Sequence, residues 1–461
     1  MSSAQPNRCE VIATVLDDSG AGVGMVEATS VHVADLLPGE RAEVVIDHRS
    51  PHKAEAWGRI LKRLGPPSPS RAAPLCPGFG RCGGCVWQHF AYPAQLAAKR
   101  ARVAAALAEV PAVASRAVEI AAVRPSPELT GYRNKGKYVA GAHGDHLVLG
   151  AYAPRSHDVV DTLGCRVVAP IIDEVATWVR GAAERAELAP YDEATRAGEL
   201  RYVIVREAAG DVLVVLVVAA RTQRAKLESV AAALGHHPAV HGVVVVENDR
   251  RDGAIIPSGG AATVLFGHGH LTETLAGVVV EVGAGEFLQV NRDQAAAMYA
   301  RIAELAEIQP GTQAVDLFAG VGGVGLTLAS AGAHVIAVEI DRDAVAQLRR
   351  AAQRAGLPLT AIAGDVGDVR GQLGAKPDVV VVNPPRKGLT PSARSFLAEL
   401  AAPTIVYVSC GPETLGRDLL ALAGQGYTPD VIEPFDLMPG TAQIETIVRL
   451  RRPHRPARRM R

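Results

Sequence analysis

Apolar and polar residues alternate over the first part of the chain. Short runs such as EVIATVLD, GMVEAT and RAEVVID are separated by glycine, aspartate and LPGE turns. A period of two predicts strands that each bury one face. Several such strands with tight turns between them are typical of a small barrel. We therefore predict an OB-like β-barrel over residues 1–64.

The middle of the chain contains segments whose apolar residues have helical spacing and other segments that resemble strands. Alanine and leucine recur at helical spacing in YPAQLAAKRARVAAALAEV, which predicts a helix over about 92–110. Later runs such as RYVIVREA and DVLVVLVVA are short, apolar and rich in valine, as strands are. We predict an α+β central domain over 65–285, with the helix packing on the domain that follows.

Strand-like and helix-like segments alternate over residues 286–452. DLFAG, HVIAVEID, DVVVVNPP and TIVYVSC read as strands, with helical segments between them. This alternation predicts a Rossmann-like, mostly parallel sheet with helices on both faces. The last two strands are close enough in sequence to pair antiparallel. The fold class is thus multidomain α/β, with a basic tail at 453–461.

Composition narrows the class of protein further. The 461 residues are 48% apolar with no net charge, and the longest apolar run, VLVVLVVAA, is far too short to span a membrane. Six cysteines in a chain of this length do not form a secreted disulfide framework, and they point instead to metal binding or catalysis. We expect a cytoplasmic monomer without a membrane partner.

A glycine-rich loop follows the first predicted strand of the C-terminal domain. Gly320, Gly322 and Gly325 form G-x-G-x-x-G, and Glu339 ends the next strand. Such a loop admits an adenosine-containing cofactor, while the carboxylate accepts hydrogen bonds from ribose hydroxyls. A nicotinamide dinucleotide fits this pattern equally well. The N-P-P motif that begins at Asn383 favours S-adenosylmethionine, since methyltransferases of planar groups in nucleic acids carry it.

Cys410 and Glu445 are candidates for covalent chemistry. Cys410 ends a predicted strand at the edge of the sheet that carries ligands in such folds. Methylation of carbon 5 of uracil requires a thiolate to add to carbon 6 and a base to remove the proton from carbon 5. Glu445 starts the last strand and can face the same cleft. The alternatives are a buried apolar cysteine and a surface glutamate.

Several motifs carry a resemblance to a known family. They are CPGFGRCGGCVWQH, GYRNKGKY, EFLQVN, DLFAGVGGVG, NPPRKGL, YVSCGPETLGRDL and MPGTAQIETI. With them the chain resembles the S-adenosylmethionine-dependent RNA uracil-C5 methyltransferases, which make 5-methyluridine in transfer and ribosomal RNA. The resemblance spans almost the whole chain and implies that the barrel is a TRAM domain.

The resemblance also implies roles for single residues. Cys410 is then the nucleophile and Glu445 the base. Eight positions, including three glycines of the loop, then contact or border the cofactor. They are Gln289, Phe318, Gly320, Gly322, Gly323, Glu339, Asp365 and Asn383.

Four residues depart from the family pattern. Asn383 stands where aspartate is usual, so an amide that donates and accepts replaces an acceptor-only carboxylate. Gly411 replaces asparagine beside the nucleophile, and Gly440 and Gln443 stand where histidines are usual. Because Cys410 and Glu445 themselves match the pattern, the predicted activity is retained.

Cys76, Cys82 and Cys85 form C-x5-C-x2-C, and Cys165 is the fourth candidate ligand. Thiolate ligation suits zinc or an iron–sulfur cluster, and the spacing does not separate them. The resemblance implies a [4Fe-4S] cluster, with zinc as the alternative. A structural role is expected, because methyl transfer needs no redox step.

The motif GYRNKGKY supplies candidate RNA contacts. Arg133, Lys135 and Lys137 can bind phosphates and Tyr132 can stack on a base, although a solvated strand face has the same composition. The target uridine must be flipped out to reach Cys410.

We therefore predict an RNA (uracil-C5) methyltransferase, with 23S ribosomal RNA favoured over transfer RNA as the partner. A base-amine methyltransferase of nucleic acids is the nearest rival, because its N-P-P motif also begins with asparagine. A non-catalytic RNA-binding assembly factor is the rival from another class.

Overall fold

The computed structural model describes residues 8–250, 254–257, 262–373 and 376–452. Within them a six-stranded sheet, a seven-stranded sheet, a two-stranded hairpin and a second seven-stranded sheet follow one another along the sequence. The basic tail predicted at 453–461 lies outside the described residues. The domain boundaries stay predictions, although each large sheet falls within one predicted domain.

The N-terminal sheet consists of β1 Arg8–Ile12, β2 Val15–Leu16, β3 Gly22–Val26, β4 Thr29–Val33, β5 Arg41–Arg49 and β6 Glu55–Leu64, in the order β1-β5-β6-β4-β3-β2. The sheet curls until β3 faces β1. A Cβ atom at Gly24 would lie 2.2 Å from the carbonyl oxygen of Ile12, so only glycine permits this approach. Val11, Val33 and Val44 fill the inside of the curl and give this sheet its own core.

Two helices, α1 Tyr92–Ala106 and α2 Pro111–Ala114, follow the cysteine-rich segment. The end of α1 lies against the C-terminal domain, since a Cβ atom at Gly416 would lie 2.3 Å from the carbonyl oxygen of Ala106. Lys99 of α1 forms a 2.7 Å ion pair with Asp436, and both side chains are fully buried. The ion pair therefore joins α1 to a residue 337 positions away in sequence, and breaking it would leave a buried charge without a partner.

The central sheet consists of β7 Lys135–His143, β8 His146–Tyr152, β9 Val159–Asp161, β10 Leu200–Ala208, β11 Asp211–Val218, β12 Val240–Glu247 and β13 Ala262–Gly267, in the order β13-β12-β11-β10-β7-β8-β9. Its helices are α3 Pro170–Arg185 and α4 Arg224–Leu234, and the hairpin β14 Leu271–Leu275 with β15 Val278–Val282 follows. The two helices pack on one face of the sheet, while β14 approaches the other.

The C-terminal sheet consists of β16 Gln313–Leu317, β17 His334–Glu339, β18 Leu359–Ala363, β19 Val379–Val382, β20 Thr404–Ser409, β21 Thr428–Phe435 and β22 Glu445–Arg451. Its helices are α5 Arg292–Leu305, α6 Gly323–Ser330, α7 Arg342–Arg354, α8 Pro391–Leu400 and α9 Pro412–Ala423, with a 3-10 turn at Arg370–Gln372.

This sheet has the order β18-β17-β16-β19-β20-β22-β21, with the first five strands parallel. β22 pairs antiparallel with both β20 and β21, as predicted for the last two strands. Val380 and Val382 belong to one core and Val379 and Val381 to another, so both faces of the sheet are buried. Such a sheet presents its ligand site at the carboxyl ends of the strands.

The described helices are short, and the longest of them, α3, has 16 residues. None is long and apolar enough to pass through a membrane. α3 instead buries one apolar stripe, including Ile172, Val175 and Val179, against the central sheet.

Candidate active site

The carboxyl ends of the parallel strands bring most of the predicted site residues to one edge of the C-terminal sheet. Phe318 follows β16, Glu339 ends β17, Asn383 follows β19 and Cys410 follows β20. Because parallel neighbours end at the same edge, residues far apart in sequence meet there. Asp365 lies at the same edge after β18, is exposed, and accepts a hydrogen bond from the N–H of Gly367.

The glycine loop connects β16 to α6 through left-handed backbone. Gly320 has a φ of 56° and Gly322, the N-cap of α6, a φ of 97°. A Cβ atom at Gly322 would lie 2.3 Å from Cδ1 of Leu348, and one at Gly323 would lie 2.7 Å from the ring of Tyr299. Conformation therefore favours glycine at 320, space requires it at 323, and both apply at 322. The predicted position of the loop between strand and helix is confirmed.

Glu339 fixes the shape of this loop. Its carboxylate accepts hydrogen bonds of 2.9 Å from the backbone N–H groups of Gly320 and Asp341. Two carboxylate oxygens offer about four acceptor positions, so the group still has capacity for ligand hydroxyls. These bonds hold the end of β17 against the glycine loop.

A cavity of about 50 Å³ lies beside the loop. Four predicted residues line it: Phe318, Gly320, Gly323 and Asn383. Phe287, Leu288, Tyr299 and Asp316 line it as well and were not predicted. A neighbouring cavity of about 140 Å³ shares Leu288 and Tyr299 and is lined by Gln289. Gly322, Glu339 and Asp365 are not among the residues that line these two cavities.

Asp316 is a residue of this site that the sequence pattern does not predict. It lies within β16, its side chain is fully buried, and neither carboxylate oxygen accepts a well-formed hydrogen bond. Burial raises the pKa of Asp316 to about 7, against a smaller lowering by the N–H of Gly325. A buried carboxylate that lacks a well-formed hydrogen bond and lines a cavity is a candidate contact for a cation or a hydrogen-bond donor. The only signal in the sequence was an acidic residue inside an apolar strand.

Strand pairing brings Cys410 and Glu445 together. Ser409 of β20 lies opposite Thr446 of β22 in the antiparallel register. Cys410 follows Ser409 and Glu445 precedes Thr446, so the two side chains are attached at the same end of one strand pair. Glu445 begins β22, as predicted.

The electrostatics of the two groups are coupled through Arg386. Burial raises the pKa of the Cys410 thiol, the Glu445 carboxylate raises it further, and Arg386 lowers it by charge and by a hydrogen bond. Burial raises the pKa of Glu445 to about 7, and Arg386 opposes this rise. Arg386 therefore favours the anionic form of both groups. The motif NPPRKGL contains Arg386 but does not by itself indicate this role.

Three of the four residues that depart from the family pattern make or permit specific local contacts. Gln443 accepts a 2.8 Å hydrogen bond from Arg386 and so orients that guanidinium. Gly440 has a φ of 74°, and a Cβ atom there would lie 3.1 Å from Gln88 in the cysteine-rich segment. A Cβ atom at Gly411 would lie 2.9 Å from the hydroxyl oxygen of Thr414. Glycine at 411 thus permits close packing beside Cys410, and glycine at 440 permits close packing on the cysteine-rich segment.

The four cysteines predicted as metal ligands approach one another. The thiols of Cys76 and Cys165 both act electrostatically on Cys82, and those of Cys165 and Cys82 act on Cys85. The N–H groups of Gly78 and Gly84 donate 3.4 Å hydrogen bonds to the sulfur atoms of Cys76 and Cys82. Donors aimed at sulfur are typical of the surroundings of thiolate ligands.

Within the ranges that the structure describes, no group of three or more histidine, cysteine or acidic side chains is arranged to hold a single metal ion. This finding supports neither the predicted [4Fe-4S] cluster nor the zinc alternative. A four-iron cluster takes one thiolate at each iron and spreads its ligands more widely.

The predicted RNA-binding residues fall into two groups. Lys135 and Lys137 alternate along β7 and so share one face of the central sheet. Burial, with repulsion from Arg206, lowers the pKa of Lys135 to about 8, while Lys137 is exposed. The hydroxyl of Tyr132 donates to the carbonyl oxygen of Pro439, which turns that ring toward the loop before Glu445. Arg133 is partly buried, and its Nε has no partner.

Known proteins resemble this chain in both sequence and structure. The family model described as methyltransferase small domain matches residues 271–400. An uncharacterized RNA methyltransferase of Halalkalibacterium halodurans is 31% identical over 96% of this chain and 97% of the relative. One from Geobacter sulfurreducens is 32% identical over 97% of this chain and 91% of the relative.

Among solved structures, the tRNA (uracil-54, C5)-methyltransferase of Pyrococcus abyssi, in complex with S-adenosyl-L-homocysteine, matches with a TM-score of 0.75. The match covers 96% of this chain and all of that chain at 23% identity, and it shows that the two share a fold. Because relatives at 31% and 32% identity extend over nearly the whole chain, the protein belongs to the RNA methyltransferase family.

Proposed function

We propose that this RNA methyltransferase transfers a methyl group from S-adenosylmethionine to carbon 5 of a uridine. One observation carries the proposal: strand pairing attaches a cysteine and a glutamate at the same end of β20 and β22, and the charge of that glutamate acts on Tyr299, which lines the cavity of the glycine loop. Carbon 5 methylation needs this pair of groups, whereas methylation of a base amine needs neither. The fold is also that of the Pyrococcus abyssi enzyme, which acts on uracil-54 of tRNA.

Cys410 and Glu445 act in sequence on the uracil ring. The Cys410 thiolate adds to carbon 6, forming an S–C bond and moving electron density to carbon 5. S-adenosylmethionine, when bound, supplies an electrophilic methyl group to that carbon. The Glu445 carboxylate then removes the proton from carbon 5, and the electrons of that bond re-form the ring double bond as the S–C bond breaks. Arg386 favours the thiolate and the carboxylate that these steps require.

The residues at the glycine loop fit S-adenosylmethionine. Glu339 retains acceptor positions for ribose hydroxyls, and Gly323 leaves space beside Tyr299. Asp316 offers a buried carboxylate without a well-formed hydrogen bond to a cofactor that carries positive charge. Phe318, Gln289 and Asn383 would complete the binding site along the two cavities. We propose that Gly322 shapes this binding site and that Asp365 borders it.

The Asp316→Asn substitution should stabilise the ligand-free protein and weaken cofactor binding. The folded pKa of about 7 lies above the ordinary value, so the carboxyl contributes most to stability at low pH and loses that contribution as pH rises through 7. Removal of the charge should raise the free energy of unfolding by up to about 4 kcal/mol near pH 8 and by little near pH 4.

Thermal unfolding of both proteins across this pH range, with calorimetric titration of S-adenosylhomocysteine, tests the role of Asp316. Binding to the variant should be weaker by about tenfold, since a charge-assisted contact is lost. Equal affinity in the two proteins would remove Asp316 from the cofactor site.

We further propose that Cys76, Cys82, Cys85 and Cys165 hold a [4Fe-4S] cluster that ties the cysteine-rich segment to the central domain. The N–H donors at two sulfur atoms and the mutual approach of the thiols support it.

Protein purified without oxygen should contain about four iron atoms per chain, and Cys165→Ser should lose them. The matched variant Cys9→Ser, whose thiol lies in β1, should keep its iron. Zinc in place of iron would contradict the proposal.

RNA is proposed to approach along the exposed face of β7 with its target uridine flipped toward Cys410. Lys135, Lys137 and Arg133 would contact phosphates, and Tyr132 would support the loop before Glu445. The N-terminal sheet is proposed to be a TRAM domain that adds RNA contacts. Ribosomal RNA remains the favoured substrate over transfer RNA.

Identification of the product nucleoside tests the proposed function. The protein is incubated with S-adenosylmethionine and RNA from cells that lack it, and the RNA is digested to nucleosides for mass spectrometry. The expected product is 5-methyluridine, in ribosomal rather than transfer RNA. Methylated exocyclic amines would establish the rival enzyme. Tight RNA binding without any methylated nucleoside would favour an assembly factor.

A further inference from the structure

A cleft outside the proposed active site separates the N-terminal sheet from the cysteine-rich segment. Its volume is about 630 Å³, and it is open to solvent. The residues that characterise it are Asp35, Arg71, Pro74, Phe79, Gly80 and His89. None of these residues takes part in the proposed chemistry.

His89 is the feature that points to a ligand. Its side chain is only 2% exposed, it lines the cleft, and neither ring nitrogen has a hydrogen-bond partner among the described residues. Leaving a buried polar group unpaired costs about 1–3 kcal/mol, so such a group is expected to meet a partner that is absent from the free chain. A neutral imidazole offers one donor and one acceptor, in the same plane.

Phe79 lies beside this imidazole and adds an aromatic surface. The centroids of the two rings are 5.0 Å apart, with an interplanar angle of 39°. Phe79 is partly exposed and lines the same cleft. An aromatic face next to a donor and an acceptor matches a planar heterocycle, which can stack and form hydrogen bonds at once.

The charges around the cleft select a base over a phosphate. Arg63 and Arg71 both form ion pairs with Asp35 and Glu40, so the two cations are already neutralised. Asp35 is 59% exposed at the cleft and would repel an anion. Arg81 is exposed two residues after Phe79 and has no ion pair within the described ranges, which leaves it available to the phosphate of the same nucleotide.

We propose that this cleft binds one unpaired nucleobase of the RNA substrate, stacked on Phe79 and hydrogen-bonded at its polar edge to His89. The inference rests on the proposed function, in that RNA is the substrate. It adds a second binding position for a base outside the proposed active site. The backbone N–H of Trp87 donates to the carbonyl oxygen of Gly440, so the segment that contributes His89 contacts the loop that leads to Glu445.

Anisotropy of a fluorescent oligouridylate of about 20 nucleotides measures this binding without chemistry. The parent is the full-length protein carrying Cys410→Ala, so that no covalent adduct contributes. His89→Phe and Phe79→Leu should each weaken binding by about tenfold, because an edge contact or a stacking face is lost. The matched control is His146→Phe, which changes an exposed histidine outside the cleft and should stay within about twofold of the parent.

Thermal unfolding separates this role from a purely structural one. His89→Phe removes two unpaired buried nitrogens, so its melting temperature should equal or exceed that of the parent while its RNA affinity falls. A decrease in melting temperature without a decrease in affinity would overturn the inference.

Photocross-linking locates the base directly. An oligouridylate with a single 5-iodouridine should cross-link to the tryptic peptide 72–81, which contains Phe79. Cross-links confined to other peptides, with both variants binding like the parent, would overturn the cleft while leaving the proposed function intact. Failure of the parent to bind any RNA would overturn both.

Discussion

Replacement of Cys410 by alanine is expected to abolish methyl transfer to RNA, with a loss of at least about 10⁴-fold in turnover. Without the thiol nothing adds to carbon 6, and carbon 5 of uracil is too electron-poor to accept the methyl group. Binding of S-adenosylhomocysteine should be unchanged, because Cys410 is not among the residues that line the two cavities at the glycine loop. A loss of turnover without a loss of cofactor binding separates chemistry from folding.

RNA that contains 5-fluorouridine provides the direct observation of the Cys410 adduct. After methyl transfer to this analogue there is no proton at carbon 5 to remove, so the S–C bond persists and protein and RNA migrate together under denaturing conditions. Wild-type protein should form this species and Cys410→Ala should not. The control is Cys9→Ala, which removes a thiol in β1 and should form the adduct normally. An adduct that survives in Cys410→Ala would contradict the assignment of the nucleophile.

The resting state of Cys410 makes the pH dependence of this attack informative. Burial and the nearby Glu445 charge both raise the pKa of the thiol, so most of the free protein holds it protonated near neutral pH. Arg386 works in the opposite direction. Adduct formation should therefore accelerate as pH rises, and the Arg386→Gln variant should require a higher pH for the same rate.

Local rules were sufficient to place the glycine loop and the strand and helix on either side of it. A left-handed turn such as that at Gly322 has few residues available to it, and an apolar run such as Val379–Val382 must be buried on both faces. Each of these constraints acts within one segment. The position of Cys410 at the end of β20 follows from the same local pattern.

Features that arise from contacts between distant segments could not be predicted from local sequence patterns. The hydrogen bond between Arg386 and Gln443 joins residues 57 positions apart and depends on how two loops meet. The unpaired oxygens of Asp316 and nitrogens of His89 are defined by surrounding atoms that the linear sequence does not order. Such groups become visible only once burial is known, because an exposed aspartate or histidine is unremarkable.

Replacement of Glu445 by glutamine should separate the two halves of the reaction. Cys410 and the cofactor site remain, so attack and methyl transfer proceed, but the proton at carbon 5 has no base to accept it. Methylated RNA should therefore accumulate as a covalent adduct with Cys410 even when the RNA contains ordinary uridine. Steady-state turnover should fall by about 10²–10⁴-fold, while one methyl group per chain is still transferred.

The matched control for Glu445→Gln is Glu433→Gln. Glu433 also lies in the antiparallel end of the sheet, on β21, but it pairs with Arg301. Its loss should lower stability slightly and leave turnover and adduct level unchanged. Denaturing electrophoresis of both variants with radiolabelled RNA gives the adduct fraction. Free methylated RNA released at the wild-type rate by Glu445→Gln would show that another group accepts the proton.

The pKa of Glu445 gives this prediction a second, independent readout. Burial raises that pKa to about 7, so the fraction of carboxylate, and with it the rate of adduct breakdown, should rise tenfold per pH unit below about 7 and level off above it. The same shift implies that the carboxyl stabilises the fold least at high pH, since its folded pKa lies above the unfolded one. Glu445→Gln should therefore gain up to about 3 kcal/mol relative to wild type near pH 8 and almost nothing near pH 4. Breakdown of the adduct that is independent of pH, together with no such gain, would place the base elsewhere.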